Sequence, residues 1–293
     1  MRLRRLSYQA RLLILVFSAL LSLLPIIFMF SNSFMSSTEA EMRYTSQITP
    51  LTSLGLTDER MHYVEMTFVP DLITFSSYRR ILVQNPTHLR FLWNSIVLAV
   101  PIVVGTLIIS PLAAYGFERM RAKHKEKLFF AYLVTMMLPM QVLLVPHFIA
   151  ANFLGISDNY LAIIMPAIFA PFGVFLIRQQ MKGFDKATIE AAAMDGASEL
   201  RIFYMIVLPN LKPTMTALMV LAFSEVWNLV DQAVVFIREE RHLPLSAYLS
   251  AIYADGMAGT VFAISCLFMI PALIVFIYGQ DNLAEGIGYT SFK

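Results

Sequence analysis

The chain has 293 residues, 58% of them hydrophobic, with a mean hydropathy of +0.66. Charged residues make up only 14%, against about 25% in soluble domains, so a water-soluble globular fold is excluded in favour of an integral membrane protein. The single cysteine, Cys266, excludes an intramolecular disulfide and any cysteine-cluster metal site, and the five histidines (His62, His88, His124, His147, His242) show no metal-ligand spacing. The net charge of +2 says little by itself, and no nucleic-acid partner is expected.

A spanning helix needs about 20 mostly apolar residues. Six such runs occur, at about 11–34, 91–115, 128–151, 160–178, 213–236 and 258–279, which predicts an all-α, polytopic fold. The first run follows Arg2, Arg4, Arg5 and Arg11. It exceeds the apolar core of a signal peptide, about 7–15 residues, and no clear cleavage site follows, so it reads as a retained anchor. Between spans two and three, "ERMRAKHKEK" (118–127) carries five Lys/Arg, whereas "NFLGISDN" (152–159) carries none. The stretch 178–212 is again basic, with Arg178, Lys182, Lys186, Arg201 and Lys212. The bias of basic loops toward the cytoplasm then places both termini, 118–127 and 178–212 inside, and 35–90 and 237–257 outside. The predicted organisation is an N-terminal segment with the first span (1–34), an external loop with an insertion (35–90), a five-helix core (91–279) and a cytoplasmic tail (280–293). Eight prolines (25, 101, 111, 139, 146, 166, 171, 271) fall within these spans. They predict kinked helices, either as irregular packing or as the walls of a pathway that opens on alternate sides.

One cytoplasmic stretch departs from the apolar pattern. Residues 185–195 are rich in Ala, Gly196 stands where a left-handed turn ends a helix, and a second helix is predicted from about Ser198 to Val207 with Leu200, Phe203 and Ile206/Val207 on one face. Pro209 and Pro213 bound it. By composition alone this hairpin (185–209) is either a docking element or an amphipathic linker on the membrane surface. In the fifth span, Glu225, Asn228, Asp231 and Gln232 lie with Trp227 in an apolar run, with 224, 228, 231 and 232 predicted on one helical face. Such groups line a wet pathway, where the Trp ring would meet a solute, or hydrogen-bond a neighbouring helix.

"EAAAMDGASELRIFYMIVLP" (190–209) resembles the EAA loop of ABC importer permeases, EAA-x3-G-x9-I-x-L-P. Glu190, Ala191, Ala192, Gly196, Ile206, Leu208 and Pro209 occupy the motif, and Asp195 and Ala197 fit its frequent DGA form. "FLWNSIVLA" (91–99), "AAYGFER" (113–119), "LPMQVLLVPHF" (138–148) and "VWNLVDQAVVF" (226–236) resemble the binding-protein-dependent carbohydrate branch, the smaller six-span permeases of the maltose family. The chain departs from many relatives at Asp185 and Ala187, which replace a Pro-x-Glu, at Ala233, which replaces a Pro, and in the longer insertion 36–66.

The resemblance implies a type I ABC importer permease in the bacterial cytoplasmic membrane. Residues 190–192, 195–197, Phe203, Ile206, Leu208 and Pro209 would form a coupling hairpin against a separate ATPase dimer. That partner would hold ATP and Mg; this chain would bind no cofactor and catalyse nothing, and it has no GxxxxGK[ST] loop. The other implied partners are a second permease subunit as a heterodimer, an extracytoplasmic solute-binding protein and lipid. A di- or oligosaccharide is the expected cargo, with glycerol phosphate, polyamine or peptide as alternatives. A secondary transporter recruiting Glu225 and Asp231 would leave the EAA loop without a role, and no metal set or nucleophile elbow favours a membrane enzyme.

Overall fold

A computed structural model describes residues 2–45, 67–120, 122–254 and 258–291. Most of the insertion predicted at 36–66 lies outside them. The regular elements are all helical, with no strand among the described residues. In chain order the helices are α1 (Arg2–Asn32), α2 (Ser37–Ala40), α3 (Ser76–Arg79), α4 (Thr87–Arg119), α5 (Lys125–Val134), α6 (Met140–Phe153), α7 (Leu161–Ile168) and α8 (Pro171–Met181). They continue as α9 (Lys186–Met194), α10 (Glu199–Ile202), α11 (Leu208–Asn210), α12 (Lys212–Trp227), α13 (Asp231–Phe236), α14 (Leu245–Ala254) and α15 (Ala258–Ser291).

Four stretches are long and apolar enough to cross a bilayer: Arg11–Asn32, Thr87–Arg119, Leu161–Met181 and Gly259–Leu283. Two bent pairs bring the number to six if each counts as one span: Lys125–Met137 with Met140–Phe153, bent by 103°, and Glu199–Asn210 with Lys212–Trp227, bent by 73°. The predicted third span, 128–151, is therefore not a straight helix. Leu138 precedes Pro139 and is extended, at φ −76° and ψ 126°, because the proline ring disfavours a helical residue before it. The predicted fifth span, 213–236, is also interrupted, since α12 ends at Trp227 and α13 begins at Asp231. The last helix runs on past the predicted boundary at 279 to Ser291.

The chain divides into two compact units, residues 1–90 with 248–270 and residues 91–247 with 271–293. In the first, the Arg11–Asn32 segment is apolar on all sides and none of its most apolar window is buried within the chain. Such a helix needs lipid or another protein around it. Its end is anchored by polar contacts: the Asn32 amide donates to the carbonyls of Phe28 (2.8 Å) and Thr67 (3.1 Å), and accepts from the Tyr44 hydroxyl at 3.2 Å. Phe28 meets Tyr44, Phe68 and Phe262 edge-on, the arrangement ring quadrupoles favour. Arg43 adds ion pairs to Glu39 (3.2 Å) and Asp71 (2.5 Å).

The second unit has a core of Ala114, Phe129, Val174, Ile177, Ile202, Phe203, Val207, Leu211 and Leu218. Close helix approach depends on a small residue: a Cβ on Gly173 of α8 would lie 2.3 Å from Ser110 Oγ of α4. Polar ties close the opposite end. The Asn94 amide donates to the carbonyls of Arg241 (2.9 Å) and Leu243 (3.0 Å), and Ser95 Oγ accepts the Leu245 N–H at 2.8 Å.

Candidate functional site

The hairpin is built from local signals that agree. Asp185 caps α9 by accepting the Ala187 N–H at 3.0 Å. At the other end the Gly196 N–H reaches Ala193 O (3.1 Å) and the Ala197 N–H reaches Ala192 O (3.1 Å), closing the last turn. Gly196 has φ +79°, as its position in the sequence predicts. A Cβ there would meet nothing within 4 Å, so backbone conformation, not space, calls for glycine. Ser198 then caps α10, a π-turn spans Phe203–Val207, and α11 leads into α12.

Two faces result. Ile202, Phe203, Val207 and Leu211 are almost fully buried, with Ala192, Ala197, Ile206 and Leu208 partly buried beside them. Glu190, Ala191, Asp195, Gly196 and Pro209 are exposed, as are Met194, Tyr204 and Met205. The predicted apolar face is corrected at one position: Leu200 is 66% exposed, and Ile202 takes the buried place. Both residues lie in α10, ahead of the π-turn, and the side that meets the core carries Ile202 and Phe203.

A cavity of about 570 Å3 lies in the same unit, walled mainly by apolar side chains of α4, α6, α7, α8 and α12. Its polar groups include Glu225, Gln232, His147, Tyr132, Thr135 and Thr106. Of the five polar or aromatic residues singled out in the fifth span, only Glu225 and Gln232 line it. Asn228 donates to Ser224 O at 2.8 Å, and Asp231 accepts from Gln141 Nε2 at 3.2 Å. Trp227 is 2% exposed and stacks on Phe223 at 5.0 Å, outside the cavity lining. The break at 228–230 takes Asp231 and Gln232 off the single helical face predicted for them with 224 and 228. Among the described residues no group of three or more His, Cys, Asp or Glu is placed to hold a metal ion.

Sequence reasoning missed three features. His147 was considered only as a metal ligand, yet it lines the cavity and its Nδ1 is buried without a partner. Arg178 was counted only as a basic loop residue, yet it is 1% exposed, pairs with Glu126 (2.6 Å) and Glu118 (3.4 Å), and lies 4.0 Å from the Phe129 ring centroid. Tyr115, Arg119 and Glu199 form a third cluster, with the Tyr115 hydroxyl donating to Glu199 at 2.6 Å and Arg119 Nε at 3.0 Å. "AAYGFER" carried two of these residues, but nothing in one sequence paired them with position 199.

The chain is similar to the arabinooligosaccharides transport system permease protein AraQ of Bacillus subtilis (strain 168), 28% identical over 74% of this chain and 78% of that one. It is similar also to the lactose transport system permease protein LacG of Rhizobium radiobacter, 30% identical over 67% of this chain and 72% of the other. A chain in the crystal structure of a bacterial ABC transporter involved in the import of the acidic polysaccharide alginate superposes with a TM-score of 0.76 at 26% identity, covering 96% of this chain and 98% of that one. The family model for the binding-protein-dependent transport system inner membrane component matches residues 5–287, nearly the whole chain; a hairpin and a cavity set among membrane-length helices are thus features of a member of that permease family, to which this protein belongs.

Proposed function

We propose that this chain forms half of the translocation pathway of an ATP-driven importer for a neutral di- or oligosaccharide, and that hairpin 185–209 docks on a separate ATPase. The observation that carries this is a shared wall. Leu218 belongs to the core that seats Ile202, Phe203 and Val207 of the hairpin, and it also lines the cavity. A push on the hairpin therefore reaches the cavity through packed side chains, which deform little. The cavity volume falls within the roughly 300–1,000 Å3 of small-molecule sites. Its lining holds no Lys or Arg. An anionic cargo such as glycerol phosphate would call for such donors, so the lining favours a neutral solute.

In the proposed cycle, ATP closes the motor dimer around the hairpins of this chain and of a second permease, and the pathway opens outward to a docked solute-binding protein. Hydrolysis reverses the motion. Nucleotide acts only through its different affinity for the two states. Glu190, exposed on α9, offers the motor a charge. Glu225 and Gln232 offer the solute hydrogen bonds.

Affinity purification of the tagged chain in mild detergent is the test. An ATPase subunit, a second permease and a solute-binding protein are expected to co-purify, with ATP hydrolysis in the complex and none by the isolated chain. The recovered binding protein, screened against oligosaccharides and glycerol 3-phosphate, is expected to take a sugar. Robust hydrolysis by the isolated chain, or selective binding of the phosphate ester, would overturn the corresponding part of the reading.

Topology is checked separately. In a Cys266→Ser background, cysteines at Lys123 and Ser198 are expected to resist an impermeant thiol reagent added outside, while one at Glu240 is labelled. Labelling at 123 or 198 would reverse the orientation.

A further inference from the structure

The apolar seat of the hairpin is non-directional: burial of Ile202, Phe203 and Val207 holds α10 near the core without fixing its register along a neighbouring helix. Register comes from the end of α4. Tyr115 and Arg119 are one helical turn apart and share a face. Both close on the Glu199 carboxylate in the first turn of α10. Tyr115 donates to Oε2 at 2.6 Å, Arg119 Nε donates to the same oxygen at 3.0 Å, and Arg119 Nη2 donates to Oε1. This is a two-pronged guanidinium–carboxylate pair, which defines an orientation as well as a distance. The Tyr115 ring also packs on Phe203 at 5.2 Å between centroids.

The adjacent residue reaches the helix that precedes the hairpin. Glu118 lies 3.4 Å from Arg178 Nε on α8, the helix that leads through 182–185 into α9. The last two residues of α4 thus touch α8, which leads into the hairpin, and α10 within it. Arg119 is 34% and Glu199 58% exposed, so solvent screens the pair and it adds little to stability. What it supplies is geometry.

We propose that Tyr115, Arg119 and Glu199 are positioning residues that latch the hairpin to α4, so that the two move as one body when the motor moves the hairpin. This rests on the reading above, in which a separate ATPase docks at 185–209.

The test uses the assembled importer in nanodiscs, with spin labels on cysteines at Ala193 in the hairpin and Val104 in α4, in the Cys266→Ser background. Their separation is measured without nucleotide and after trapping with ATP, Mg and vanadate. The intact latch is expected to keep one separation in both states. Arg119→Ala and Glu199→Ala are each expected to shift it on trapping by more than the width of the distribution. The exchanged pair Arg119→Glu/Glu199→Arg is expected to restore a single separation, and Arg119→Lys, which keeps the charge but loses the fork, to restore it incompletely. Single variants that behave like the intact chain, an exchanged pair that behaves like the singles, or a shift in the intact chain would each overturn the latch while leaving the importer reading in place. An importer that assembles without any ATPase at the hairpin overturns both.

Discussion

Replacing Gly196 by valine is expected to abolish solute uptake while leaving the protein inserted in the membrane. The residue sits at φ +79°, where a β-branched side chain clashes with its own backbone, a strain on the order of 1–3 kcal/mol. The chain escapes that strain by opening the turn, which gives up the Gly196 and Ala197 N–H contacts to α9 and swings α10 away from its seat. The turn lies outside the four stretches long and apolar enough to cross a bilayer, so membrane yield is expected to hold. Gly196→Asn separates conformation from volume. Asparagine tolerates the left-handed region, and the space around a Cβ is empty, so this variant is expected to retain most uptake and normal ATPase co-purification. Equal loss in both variants would mean that the exposed surface at 196, not the turn, is what the motor reads. Normal uptake in Gly196→Val would reduce the hairpin to a linker.

The hairpin was legible because its determinants are local. An Ala-rich run, a glycine at its end and prolines beyond it all act within a few residues; the cap at Asp185 became visible only in the structure. Spans were legible by length and polarity, the two properties a bilayer selects. The bends were not. Pro25, Pro101, Pro111 and Pro271 lie inside continuous helices, whereas Pro139 and Pro171 stand at breaks, and sequence treats all of them alike. Whether a proline breaks a helix depends on which neighbour satisfies the freed carbonyl, a tertiary matter. Arg178 shows the same limit for charge. A basic residue near a predicted span end reads as a topology signal, and only the fold brings Glu118, Glu126 and Phe129 around it. At Leu200 and Ile202 the helical period alone does not say which side of α10 meets the core, which tertiary packing decides.

Trp227→Ala is expected to lower the stability of the folded chain, not merely the rate of transport. Trp227 is 2% exposed at the end of α12, and its ring lies nearly parallel to Phe223, at 19° and 5.0 Å. Truncating a buried tryptophan removes its packing and leaves a cavity, at a cost of about 3–5 kcal/mol. That is a large share of the marginal stability of a folded domain. The break at Asn228–Val230 makes the site more sensitive, because the end of α12 has no continuing helix to hold it there. Trp227→Phe keeps an aromatic surface against Phe223 and is expected to cost much less. Thermal unfolding in detergent, followed by size-exclusion profile, measures both. The expected order is intact chain, then Phe, then Ala, with uptake falling in proportion to folded protein. A Trp227→Ala chain that melts with the intact protein yet loses uptake would place the ring back on the solute path. It would then have to leave its stack on Phe223 during the transport cycle, and the break after α12 would be the hinge that lets it.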